Sequence, residues 1–111
     1  MIVEITGQTT AAVFWGVQTL LSITRDGRVP NIVIHDEPRF SYRGMSLDVA
    51  RNFFPKEEIF KLLEVMAMYK LNKLHLHLTD DEGWRLEIPD LPELTKVVAV
   101  WHRKLMCPSS S

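Results

Sequence analysis

The chain has 111 residues, 46% of them apolar and 24% charged, with a net charge of −1. This is an ordinary globular composition, enough for one small domain or parts of two, with no electrostatic reason to expect a nucleic acid as partner. A single cysteine, Cys107, rules out an internal disulfide framework, and no apolar run approaches the roughly 20 residues that membrane insertion as a helix requires. The opening MIVEITGQTT lacks a basic region followed by an apolar core, so no signal peptide is expected there and localisation stays open.

Ile2 to Ile5 reads as a short strand, stopped by Thr6 and Gly7. From Thr9 the period becomes helical: Val13, Phe14, Val17, Leu20 and Leu21 form one apolar stripe, with Thr9 or Thr10 as N-cap and Arg25 near the negative end of the dipole. Gly16 in mid-helix points to close packing, and Phe14 and Trp15 to core or interface. Asp26-Gly27 is a turn, and Asn31 to His35 a second strand closed by Asp36, Glu37 and Pro38. Strand, helix and strand without a third layer cannot cover both faces of a sheet, so 1–37 reads as the tail of a domain, with a boundary near Pro38.

Phe40 to Val49 resumes a strand pattern, in which Gly44 suggests a close backbone approach or a bulge. Pro55, Glu57 and Glu58 open a helix whose apolar face is Ile59, Leu62, Leu63, Met66 and Ala67, and Asn72 suits its left-handed end. Leu74, Leu76 and Leu78 then alternate with His75 and His77 in another strand. The order is that of a parallel βαβ unit, patterned for burial on both faces. Leu94 to Leu105 fits helix or strand equally, and the final CPSSS is expected to fray.

Charges gather where these two strands stop: Asp48 and Arg51 after the first, Asp80, Asp81 and Glu82 after the second. In parallel sheets ligands bind at carboxyl ends, so the two tips form one wall of a candidate site. Arg51 and Asp80 supply opposed donors and acceptors, as a sugar needs, or else form a bridge tying two strand ends together. His75 and His77 share a strand face as two metal ligands can, but no cysteine is near, and histidines on a covered strand more often satisfy hydrogen bonds. Adjacent acids can split their pKa values for acid–base work. On an extended chain, however, Asp80 and Asp81 point apart, so different partners are expected and Glu82-Gly83 reads as a solvated turn. Trp84 is either an apolar platform or a closure of the strand end.

The stretches FWGVQTLLSI, DEPRFSYRGMSLDVARNFFP and MAMYKLNKLHLHLTDDEGWRLEI resemble the family-20 glycoside hydrolases, the β-N-acetylhexosaminidases, over about residues 12 to 95. The resemblance implies an α/β fold: residues 38–95 would begin a (β/α)8 TIM barrel with its first two strands and the helix between, after the tail of an α+β domain. Residues 96–111 look like a divergent, disordered ending. It implies that Arg51 grips hydroxyls of a terminal GlcNAc or GalNAc, that Asp80 supports a histidine–acid relay, and that His77 and Asp81 line or brace that region. No cofactor or metal is implied. The family's reaction is retaining and substrate-assisted, the acetamido oxygen of the substrate acting as nucleophile. The acidic glutamate, its aspartate partner and the relay histidine have no counterpart in this chain. A barrel needs about 250 residues, so the chain is expected to be inactive alone and to fold poorly or to associate through open strand edges, with itself or with a full-length relative.

Overall fold

The computed structural model of the protein describes residues 2–98. Their elements run α1 (Thr10–Ile23), β1 (Gly44–Asp48), α2 (Lys56–Met68), β2 (Lys73–His77), β3 (Thr79–Asp80) and β4 (Gly83–Trp84), followed by a π-helical turn over Leu94–Val98. Strands β1 and β2 are neighbours in one two-stranded sheet, and β3 and β4 form another. At one end of the β1–β2 pair the amides of Asn72 and Lys73 donate to the Arg43 carbonyl; at the other, those of Val49 and Ala50 donate to the His77 carbonyl. Both strands therefore advance in one direction, as a βαβ connection requires. No described helix is long and apolar enough to cross a membrane.

Two compact units divide the described residues, one made of 2–44 with Phe60–Lys73, the other of Met45–Ile59 with 74–98. In the first unit, α1 starts at Thr9, whose hydroxyl accepts from the Ala12 amide at 3.1 Å. A Cβ on Gly16 would stand 2.5 Å from Ile5 Cγ2, which is the close packing that a mid-helix glycine permits. The face of α1 that packs carries Trp15, over which the Arg43 guanidinium lies 4.7 Å from the ring centroid, and Thr19, which donates to Asp36. The apolar stripe read from the sequence faces outward instead: Phe14 is 48% and Leu21 62% exposed. Periodicity located the stripe but not the neighbour that would cover it.

The C-terminal end of α2 is a Schellman closure. The Leu71 amide bonds Met66 O and the Lys70 amide bonds Ala67 O, with Lys70 at φ 57°. Lys70, not Asn72, thus takes the left-handed position, and its ammonium is anchored on Asp36 and Thr19. Asn72 instead clips two segments together. Its Oδ1 accepts from the Arg43 amide at 2.9 Å and its Nδ2 donates to Ser41 O at 2.8 Å. At Gly44 the close neighbour is a side chain and not backbone, since a Cβ there would overlap the Tyr42 hydroxyl.

Several expectations fail, those for strands because a ladder partner is missing. Residues 2–5 and 31–35 form no strand, and the first βαβ strand is confined to Gly44–Asp48. A strand needs a ladder partner, and no described segment pairs with 2–5 or 31–35. Arg25 lies beyond α1, bridged to Arg28 around Asp26-Gly27, both of positive φ, so the last turn of α1 has no basic residue. Burial on both faces is absent as well, since no residue of β1 or β2 is fully buried. Among the described residues only Val49, Ala50 and Met66 form a buried apolar core. Of the ambiguous 94–105 stretch, Leu94–Val98 is the π-helical turn, and 99–111 lie outside the described residues.

The double role of Asn72 gives a test. Asn72→Ala removes two hydrogen bonds, each worth about 1 kcal/mol net, so amide exchange at Arg43 should accelerate roughly tenfold by NMR or mass spectrometry while exchange within α1 stays unchanged.

Candidate functional site

The second unit brings the charged strand tips together. After Asp48 the chain turns: the Asp48 Oδ1 accepts from the Ala50 and Arg51 amides at 3.0 Å each, an Asx-type turn that aspartate favours. This aims the Arg51 side chain across to the segment that follows β2. There Thr79–Asp80 and Gly83–Trp84 form a hairpin with Thr79 opposite Trp84 and Asp80 opposite Gly83, and Asp81-Glu82 at its tip.

Arg51 engages three carboxylates. Its Nη1 lies 2.6 Å from Asp48 Oδ2, its Nη2 2.6 Å from Asp80 Oδ2, and its Nε 3.2 Å from Glu82 Oε2. A guanidinium has five N–H donors, so two remain for a ligand, on a side chain that is 47% exposed. The same Asp80 Oδ2 meets His77 Nε2 at 2.8 Å. Asp80 therefore joins the arginine to the histidine at the end of β2. The Arg51–Asp80 bridge read as one alternative from the sequence is present, and so is a donor edge beside it.

Asp80 and Asp81 do not separate as expected. Asp81 lies in the hairpin tip, where the alternation of an extended strand no longer holds. Its amide donates to Asp80 Oδ1 at 2.8 Å, and the two carboxyl groups shift each other's pKa in opposite directions. The bonds from the Asp81 carboxyl and amide, then the one from His77, hold the Asp80 carboxyl far below the usual carboxylate range, and the Arg51 charge adds to this. Asp81 is raised, first by that same hydrogen bond and then by the charges of Asp80 and Glu82. Asp48 is lowered by its hydrogen bonds from Arg51. The pair thus holds one proton on Asp81 at a higher pH than an isolated aspartate would. Glu82, read as solvated, is an ion-pair partner.

Trp84 has its indole N–H on Leu86 O at 2.6 Å, which closes the strand end on its own chain. His75 is exposed, and among the described residues no group of three or more His, Cys, Asp or Glu is placed to hold a metal. Sequence reasoning missed Arg85, whose Nε and Nη2 donate to the carbonyls of Val49 and Ala50. The missed signal was an arginine one residue beyond the last strand, spaced to reach back over the turn.

Comparison with known proteins gives a consistent family. The model of the glycosyl hydrolase family 20 catalytic domain matches residues 40–108, so the likeness runs past Thr95. A beta-hexosaminidase of Vibrio vulnificus is 52% identical over 103 residues, which are 91% of this chain and 12% of that protein. An N,N'-diacetylchitobiase of Vibrio harveyi is 55% identical over 92 residues, 80% of this chain and 10% of its own length. Among solved structures, a glycoside hydrolase family 20 beta-N-acetylglucosaminidase superposes with a TM-score of 0.73 at 52% identity, covering 80% of this chain and 19% of its own. The chain thus spans only about a tenth of the length of these curated relatives.

The carboxyl pair gives a signed pH dependence. Asp80, with its pKa lowered, supports the fold above the ordinary aspartate value of 3.8, and that support is lost only as pH falls to its own depressed pKa. Asp81, with its pKa raised, contributes when protonated, and its contribution fades as pH rises through its raised value. In a carboxyl ¹³C titration Asp81 should protonate first and Asp80 last, and in Asp81→Ala the Asp80 midpoint should move up towards 3.8.

Proposed function

The chain belongs to glycosyl hydrolase family 20, and on that premise we propose that it forms part of the sugar-binding wall of a β-N-acetylhexosaminidase. The observation that carries the reading is Arg51, clamped by Asp48, Asp80 and Glu82 through three of its five N–H groups on a side chain that stays half-exposed. A planar fork with two unused N–H groups suits adjacent ring hydroxyls. In this reading Arg51 grips the terminal, non-reducing N-acetylhexosamine, GlcNAc or GalNAc. Asp80 fixes Arg51 and supports a relay histidine, while His77 and Asp81 brace the same wall. Trp84 closes the strand end, and no metal or cofactor takes part.

We assign residues 38–95 to the start of a (β/α)8 catalytic barrel and 1–37 to the end of a preceding α+β domain. A family match beginning at residue 40 and a parallel β1–β2 pair with a helix between them support the assignment. The reaction is retaining and substrate-assisted: the acetamido oxygen attacks, and an acidic glutamate protonates the leaving oxygen. The family resemblance assigns that glutamate and its aspartate partner to no residue of this chain, so in this reading the chain alone binds without hydrolysing. A second reading, association with another copy or with a full-length relative, is favoured by the open stripe of α1 and by the outer edges of β1 and β2, which no described strand pairs.

Saturation-transfer NMR with N-acetylglucosamine tests the binding. The chain should give a signal that Arg51→Ala abolishes and Arg51→Lys weakens at least fivefold. Equal signals in all three proteins would remove Arg51 from the site. Measurable release of 4-nitrophenol from its N-acetyl-β-D-glucosaminide by the purified chain would refute the claim that it is inactive alone.

A further inference from the structure

Val49 and Ala50 are 4% and 0% exposed and directly precede Arg51. Their amides are taken by His77 O, but their carbonyls belong to no ladder. Arg85 takes both, Nε donating to Val49 O at 2.9 Å and Nη2 to Ala50 O at 3.1 Å. Buried carbonyls require donors, and a guanidinium fork is shaped to serve two at once. The Arg85 guanidinium also lies 5.5 Å from the ring centroid of Phe53, two residues after Arg51. One side chain thus touches the chain on both sides of Arg51.

Gly83 makes this approach possible. A Cβ at that position would overlap Ala50 O and stand 3.1 Å from Arg85 Nη2. The hairpin backbone comes as near to the 49–51 turn as only glycine allows, and so delivers Arg85 to its two carbonyls.

Resting on the reading of Arg51 as the sugar-gripping side chain, we propose that Arg85 is a positioning residue for Arg51. Three carboxylates orient the guanidinium tip of Arg51, and Arg85 fixes the backbone from which that side chain springs. Without Arg85 the tip keeps its ion-pair partners, but the turn that sets its reach is free to shift. Arg85 itself touches no sugar.

The test uses the 111-residue chain, its Arg85→Met and Arg85→Lys variants, and mass-spectrometric mapping of phenylglyoxal modification, which reads each arginine separately. Amide exchange at Asp80 and Gly83 reports the hairpin in the same samples. Arg85→Met should raise the modification rate of Arg51 at least threefold, and Arg85→Lys, which keeps the charge on a single donor nitrogen, by less, while hairpin exchange stays within twofold. Unchanged Arg51 reactivity in both variants overturns the proposal. Loss of hairpin protection in step with the Arg51 change in both variants also overturns it, because Arg85 would then only hold the fold. Failure of N-acetylglucosamine to shield Arg51 in the parent chain sinks the sugar reading alone, since the Arg85 effect is read without sugar.

Discussion

One guanidinium shared by three carboxylates is the interaction on which the second unit turns. Arg51 draws Asp48 from its own turn and Asp80 and Glu82 from the hairpin. The pairs are half-exposed, so each adds little to stability. What they fix is direction. A long side chain with several rotatable bonds is held in one orientation by its three partners. The local excess of carboxylates then dictates the protonation order. With Asp80 committed to Arg51 and His77, Asp81 beside it has its pKa raised, first by its hydrogen bond with Asp80.

The backbone of this unit serves the same end. The Asx turn at Asp48, the hairpin of β3 and β4, and the Arg85 bonds to two buried carbonyls all converge on the residues flanking Arg51. The apolar contribution is small, because Val49 and Ala50 are the only fully buried apolar residues described in this unit. Polar bonds to backbone therefore carry much of the local order. The first unit has a comparable economy: Lys70 bears a left-handed backbone and is tied by its ammonium to Asp36 and Thr19, while Asn72 clips the Ser41–Arg43 segment to the end of α2.

Much of this was legible in the residues. The start of α1 at Thr9, the helix after Pro55, the second parallel strand and the gathering of Arg51 with Asp80 all follow from capping, period and charge placement. Long segments with strong local signals announce themselves. Features that depend on a neighbour did not: the strands over 2–5 and 31–35 lack partners, and the stripe of Val13, Phe14, Val17 and Leu21 is uncovered. The separation of Asp80 from Asp81 failed for a different reason, because alternation along a strand stops at a hairpin tip. Lys70 at a position that glycine or asparagine usually fills could not be read from propensity, since a long-range anchor on Asp36 offsets its strain.

The central claim is that Arg51 and Asp80 act on a sugar as one unit. A double-mutant cycle read as N-acetylglucosamine affinity tests it most directly, with Arg51→Lys, Asp80→Asn and the double variant compared with the parent chain. The account predicts strong non-additivity, the double variant binding no more weakly than Arg51→Lys alone. Losses that simply add would show two independent groups and contradict it.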